Sequence, residues 1–246
     1  MDHREYIRFV TGADTAVLMI HGVNNTPRHF DRLVSRITDT VTVCNILLKG
    51  HGGTVRDFSK ATMRDWHEQV SGWLTRLSDT HRRVIVVGYS LGSLLTLANV
   101  GRFPSVSGLL LLNPPLYPKV TPSILWSNLK ACFGIVNRAD PVEAARYDSI
   151  GTAMEPWLWK YLLWIPNLLS LVRLASRCRP LAAACGRCFV LVSAKDELVK
   201  PRSRTCFEAN PQADVRVFEN SGHCFYEPAF WEHAEACLDA LLKAEE

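Results

Sequence analysis

The sequence is short of every feature that would place it in a specialised class. None of its 246 residues fall in a run of the roughly 18 uninterrupted apolar positions that a membrane-spanning helix requires. The longest candidate, 157–174, is cut by Lys160, Pro166, Asn167 and Arg173, so no membrane span is expected. The opening residues, Met1-Asp2-His3-Arg4-Glu5-Tyr6, lack the apolar core of a secretory signal, and the expected location is the cytoplasm. Charge of one sign is scarce as well. The net charge is only +4, and basic residues are scattered, densest at Arg82-Arg83 and between Arg202 and Arg204. Without a basic face, a nucleic-acid partner is not expected. Repeats and low-complexity segments are missing too. A metal pattern is incomplete: Cys185-Gly-Arg-Cys188 has the spacing of half a site, with no second Cys/His pair to finish it. The eight cysteines, in a chain without an export signal, are expected as reduced thiols.

What remains is an ordinary globular composition, 48% apolar and 21% charged. The length suffices for one large α/β core. The chain is organised around Val84-Ile85-Val86-Val87-Gly88-Tyr89-Ser90-Leu91-Gly92-Ser93. Four β-branched residues read as a strand buried on both faces. Leu91, Leu94, Leu95, Leu97 and Ala98 continue it as a packed helix. Gly88-x-Ser90-x-Gly92 thus stands at a sharp strand-to-helix turn, the setting in which a serine hydroxyl is held exposed above a sheet.

Other apolar runs follow the same rhythm. Thr15–Ile20 empties into His21-Gly22-Val23-Asn24-Asn25, after which Thr26-Pro27 reads as the start of a helix carrying Phe30, Leu33, Val34 and Ile37. Val41–Leu48 reads as a strand closed by Lys49-Gly50-His51-Gly52-Gly53, and Asp65-Trp66 opens a helix with Val70, Trp73, Leu74 and Leu77 on one face. Gly108–Asn113, Cys188–Ser193 and Ala213–Phe218 are further strands, and Trp231–Leu242 is a closing amphipathic helix. Strands alternating with helices predict an α/β fold with a doubly wound, mostly parallel sheet, whose sites gather at the carboxyl ends of strands. The stretch 116–184 breaks the rhythm with tryptophans and leucines and no clear strand. It is expected as a helical cap inserted in a core made of 1–115 and 185–246.

Serine is a poor nucleophile until a base takes its proton, and that base needs a carboxylate to orient it. Ser90, Asp196 and His223 occur in the order nucleophile, acid, base, each just after a predicted strand. Glu197 is a rival acid beside Asp196. An oxyanion needs two backbone N–H donors, expected from Leu91 and Val23. Asn24, Tyr89, Trp126, Trp157 and Trp159 are expected near the substrate, with the aromatic run 157–164 serving as cap packing, acyl pocket or a lipid-touching surface.

His21-Gly22-Val23, Lys49-Gly50-His51-Gly52, Asp65-Trp66, Gly88-Tyr89-Ser90-Leu91-Gly92, Asp196-Glu197-Leu198-Val199-Lys200-Pro201 and Ser221-Gly222-His223 together resemble the α/β-hydrolase superfamily, especially small carboxylesterases and monoacylglycerol lipases. The resemblance covers nearly the whole chain apart from the cap. It implies hydrolysis of a small-molecule acyl ester through an acyl-serine intermediate, with no metal or organic cofactor, and a structural role for Gly50-His51-Gly52. Thioester, amide or C–C hydrolysis and acyl transfer use the same triad. A ligand receptor that keeps the fold without catalysis is the reading from outside enzymology.

Overall fold

A computed structural model describes residues 3–119 and 121–243. The extreme ends of the two expected core segments, residues 1–2 and 244–246, lie outside the described residues. Seven strands form one sheet: β1 (Tyr6–Arg8), β2 (Thr15–Ile20), β3 (Thr42–Ile46), β4 (Arg83–Tyr89), β5 (Val106–Leu112), β6 (Cys188–Ser193) and β7 (Ala213–Phe218). Their order is β1-β3-β2-β4-β5-β6-β7, with only β1 antiparallel to its neighbour. The helices are α1 (Asp31–Val34), α2 (Val55–Lys60), α3 (Met63–Ser78), α4 (Leu91–Val100), α5 (Pro122–Cys132), α6 (Pro141–Asp148), α7 (Ile165–Ala182) and α8 (Pro228–Lys243).

The period of two in each strand divides the core into two layers. Ala16, Leu18, Ile20, Val84 and Val86 face α3, α4 and α7, while Val17, Met19, Ile85, Val87 and Tyr89 face α1 and α8. The central strands β2 and β4 are buried along their whole length, which is why they read as continuous apolar runs rather than alternating ones. At the sheet edge, β7 alternates in exposure.

Several boundaries differ from the sequence expectation, each for a local reason. Thr26 makes no side-chain cap bond, and 27–30 is a tight 3₁₀ turn before α1. The helix expected from Asp65 begins at Met63, because Thr62 is its N-cap: Thr62 and Asp65 form a reciprocal capping box. A second capping box, Thr54 with Asp57, starts α2. The strand expected over 41–48 pairs only over Thr42–Ile46.

The described residues between β5 and β6 form helices, the last of which is α7. Leu171, Leu174, Ala175, Cys178 and Ala182 of α7 belong to the same core layer as the sheet. Cys178 Sγ donates to the Leu94 carbonyl of α4 at 3.3 Å. The later turns of α7 therefore pack into the core layer, against α4. Among the described residues no helix is long and apolar enough to cross a membrane, and no His/Cys/Asp/Glu group could hold a metal ion.

Candidate active site

The turn from β4 to α4 fixes Ser90 in an unusual backbone state, φ 50° and ψ −116°. A non-glycine residue there is strained by about 1–3 kcal/mol, so the surroundings must impose it. The two flanking glycines make the turn sterically attainable. A Cβ on Gly92 would lie 1.8 Å from the Ile20 carbonyl oxygen of β2, and one on Gly88 would lie 2.8 Å from the Ser93 backbone. Ser93 Oγ donates to the Gly88 carbonyl at 2.8 Å and closes the turn from the helix side.

The loops after β6 and β7 meet this turn. Ser90 Oγ lies 3.1 Å from His223 Nε2, and His223 Nδ1 lies 2.7 Å from Asp196 Oδ2. A carboxylate can only accept, so Nδ1 carries the imidazole proton and Nε2 is left free to accept from Ser90. The other Asp196 oxygen accepts the N–H groups of Leu198 and Val199, both at 2.8 Å. Asp196 is thus locked by a local turn, and all three residues are buried to within 5% of full enclosure. The arrangement can deprotonate the serine and hold the resulting imidazolium against a fixed negative charge.

Glu197, the rival acid, is committed elsewhere: its Oε2 accepts the His223 backbone N–H at 2.8 Å and its Oε1 accepts Arg146 Nη2 at 2.5 Å. Burial pushes its carboxyl up, but the His223 amide and the Arg146 guanidinium outweigh that and leave it below its ordinary range. The grip on the other side of the histidine has no mark in the residue order. Tyr89 and Tyr226 both donate to the His223 carbonyl, at 2.9 and 2.7 Å. Burial raises both phenols well above their ordinary range, so they remain hydroxyl donors. Asn113, at φ 46°, donates to the Gly222 carbonyl and accepts from the Ser193 amide, tying the ends of β5 and β6 to the histidine loop. The Asn113 position carried one signal in the sequence, a polar residue ending an apolar strand.

The loop after β2 passes directly against Ser90, where a Cβ on Gly22 would lie 3.0 Å from Ser90 Cβ. Val23, the next residue, is half-buried there. Leu91 is the first residue of α4, so its N–H is one of the amides a helix start leaves without an internal partner. His21 and His51 lie behind this loop, edge to face at 4.8 Å. His21 Nε2 accepts the Leu48 N–H at 3.0 Å, and burial holds its pKa well below the ordinary value. His51 Nδ1 faces the Leu48 and Lys49 carbonyls of the loop after β3, at 3.2 and 3.3 Å.

A cavity of about 220 Å³ opens beside His223, with Val23, Tyr89 and Leu198 on the core side and Ile124, Trp164 and Leu168 on the inserted side. Asn24, at φ 50°, and Cys224 also line it. The three cap tryptophans expected in the pocket are not there. Trp126, Trp157 and Trp159 are 62%, 51% and 63% exposed, and the last two rest on each other with ring centres 5.2 Å apart. Residues 158–164 wind as a 3₁₀ helix, which stacks every third residue on one side. That winding turns Tyr161 and Trp164 inward together, ring centres 5.1 Å apart, and Trp164 Nε1 donates to the Val55 carbonyl at 3.0 Å. Trp157 and Trp159 fall outside that row.

The sheet order, the strained serine turn and the Ser–His–Asp contacts at the carboxyl ends of β4, β6 and β7 define a hydrolase-type α/β protein. Residues 17–240 match the model of the alpha/beta hydrolase family, and the chain belongs to that family. It is 31% identical over 109 residues to a thermostable monoacylglycerol lipase of Bacillus sp. (strain H-257), a match spanning 43% of this chain and 42% of that relative. The solved structure of LipS and LipT, metagenome-derived lipolytic enzymes, superposes with a TM-score of 0.74 at 19% identity, over 98% of each chain. The monoacylglycerol lipase of Paleococcus ferrophilus gives 0.68 at 18% identity, over 98% of this chain and 99% of that one. At such identities the two structural likenesses speak for the fold alone.

Proposed function

We propose that the chain is a serine hydrolase of carboxylic esters with short to medium acyl chains or a monoacylglycerol-like form. The observation that carries this reading is the buried chain of contacts Ser90–His223–Asp196 beside a cavity walled largely by aliphatic and aromatic groups. Ser90 Oγ attacks the ester carbonyl carbon while His223 Nε2 takes its proton. Asp196 stabilises the imidazolium, and the N–H groups of Leu91 and Val23 receive the oxyanion. The intermediate collapses to an acyl-serine, and His223 returns the proton to the departing alcohol. Water then attacks the acyl group, again through His223, and the acid leaves with Ser90 restored. The partial likeness to a monoacylglycerol lipase supports an acyl ester over a peptide or phosphate substrate.

The test is hydrolysis of p-nitrophenyl butyrate by the wild-type chain and Ser90→Ala. Loss of the nucleophile should lower turnover by ~10⁴ to 10⁶. Near-normal turnover in Ser90→Ala sinks the reading, and a strong preference for matched thioesters would move it to thioester hydrolysis.

Contact of the cap with lipid belongs to the same reading. Trp157, Trp159, Leu162, Leu163, Leu169 and Val172 are exposed apolar residues of one segment, and Leu168 of the same segment lines the cavity. No acidic residue occurs between positions 156 and 195, while Arg173 and Arg177 follow these residues in the chain. Such a surface suits weak binding to an anionic bilayer. Sedimentation with phosphatidylglycerol vesicles should carry down the chain and lose it on Trp157→Ser with Trp159→Ser; equal recovery of both proteins contradicts the contact.

A further inference from the structure

The catalytic loop is held from two sides, and the two sides belong to different parts of the fold. The carbonyl of His223 accepts from Tyr89 and Tyr226, which stand in β4 and in the turn before α8. The N–H of the same residue has its bond to Glu197, whose second oxygen is taken by Arg146 of α6, an element of the insertion. Arg146 and Glu197 side chains are 19% and 20% exposed, so their attraction is less screened than that of a surface pair. One turn further along, Ser149 Oγ donates to Cys224 Sγ at 3.3 Å, a second link from the end of α6 to the residue after the base. Arg146, Ser149 and Cys224 also line the cavity that the proposed acyl group would fill.

We infer that Arg146 is a positioning residue for His223, acting through Glu197, so that the inserted α6 sets the angle at which the imidazole meets Ser90. This rests on the serine-hydrolase reading. Glu197 is well placed to transmit it. Its carboxylate packs on Gly222, where a Cβ would lie 3.2 Å from Oε2, leaving the loop little room to slide without moving the acid. With Arg146 removed, the carboxylate keeps its burial and loses its cation, and its bond to the His223 amide weakens. An ångström of misplacement at a base is enough to lower a rate by about 10- to 100-fold.

The experiment compares wild type, Arg146→Met, Glu197→Met and the double variant as full chains. The readouts are the rate of covalent labelling by a small fluorophosphonate and the ester kcat per titrated active site, alongside the melting temperature. Labelling needs an activated serine and makes no use of an acyl chain in the cavity, so it separates positioning from substrate contact. Each single variant should label about tenfold more slowly, with kcat falling in step. The double variant should be no slower than the worse single, because both break one chain of contacts. Losses that multiply in the double variant overturn the inference. So do labelling rates within twofold of wild type in chains whose melting temperature alone has dropped. A wild-type chain that does not label at all overturns the serine-hydrolase reading instead.

Discussion

Gly92→Ala is the most severe single-atom change the elbow offers, and its size follows from the geometry. The added Cβ would stand 1.8 Å from the Ile20 carbonyl oxygen, 2.6 Å from its carbon and 2.9 Å from the His21 carbonyl oxygen. Relief needs α4 and β2 to part by more than an ångström. Neither can do so locally. Ile20 is fully buried and paired with Gly88 in the β2–β4 ladder, and Leu91, Leu94 and Leu95 of α4 are fully buried against the same layer. Overpacking alone typically destabilises by about 1–3 kcal/mol, and breaking the ladder register adds to it. A loss on the order of 4 kcal/mol or more is therefore expected, a large share of the ~5–15 kcal/mol that holds a domain together. The assay is urea unfolding followed by far-UV circular dichroism. Gly72→Ala is the matched control: Gly72 is exposed in the middle of α3, and nothing lies within 4 Å of its added Cβ. That variant should gain about 0.5–1 kcal/mol from helix propensity. A Gly92→Ala chain within about 1 kcal/mol of wild type would refute the close-approach account of the elbow.

The double grip on the His223 carbonyl makes Tyr89→Phe and Tyr226→Phe each mild, about 0.5–1.5 kcal/mol, since one donor remains. Together they leave a buried carbonyl unpaired, and the double variant should lose more than the sum in the same urea titration. Stability should also fall on mild acidification. Burial lowers the pKa of His51 to about 4 and of His29 to about 3, whereas both titrate near 6.5 when unfolded. The unfolded chain therefore binds protons first, so urea midpoints should decline steadily from pH 6.5 towards pH 4; a flat profile over that window contradicts their neutral burial. At lower pH, Asp65 adds to the loss. Hydrogen bonds from Lys49 and Thr62 hold its carboxyl at about 2, so its contribution is present above its unfolded pKa and disappears as pH falls through about 2.

Much of this was legible from residue order because the central strands are buried on both faces. Thr15–Ile20 and Cys188–Ser193 stand in the structure with the bounds their apolar runs suggest, and the edge strand Ala213–Phe218 with the bounds its alternation suggests. Ser90, Asp196 and His223 meet at one edge because each follows a strand and a parallel sheet brings those loops together. The short edge strand β1 left no comparable trace, since three half-exposed residues carry no burial pattern. The cap was illegible for a related reason. Segment 157–172 is apolar on both sides, so composition alone could not say that Trp164 turns inward while Trp157 and Trp159 face out. The role of Glu197 escaped because its partner Arg146 lies 51 positions away, on a helix with no fully buried residue to mark its inner face.

The proposed function stands or falls with Ser90 as a nucleophile activated by His223. Its most direct test is reaction of the native chain with a fluorophosphonate probe, followed by peptide mass spectrometry. One stoichiometric adduct is expected on the peptide carrying Ser90, absent from Ser90→Ala and from the heat-denatured chain. An unmodified Ser90, or an adduct formed equally well on other serines, would contradict it.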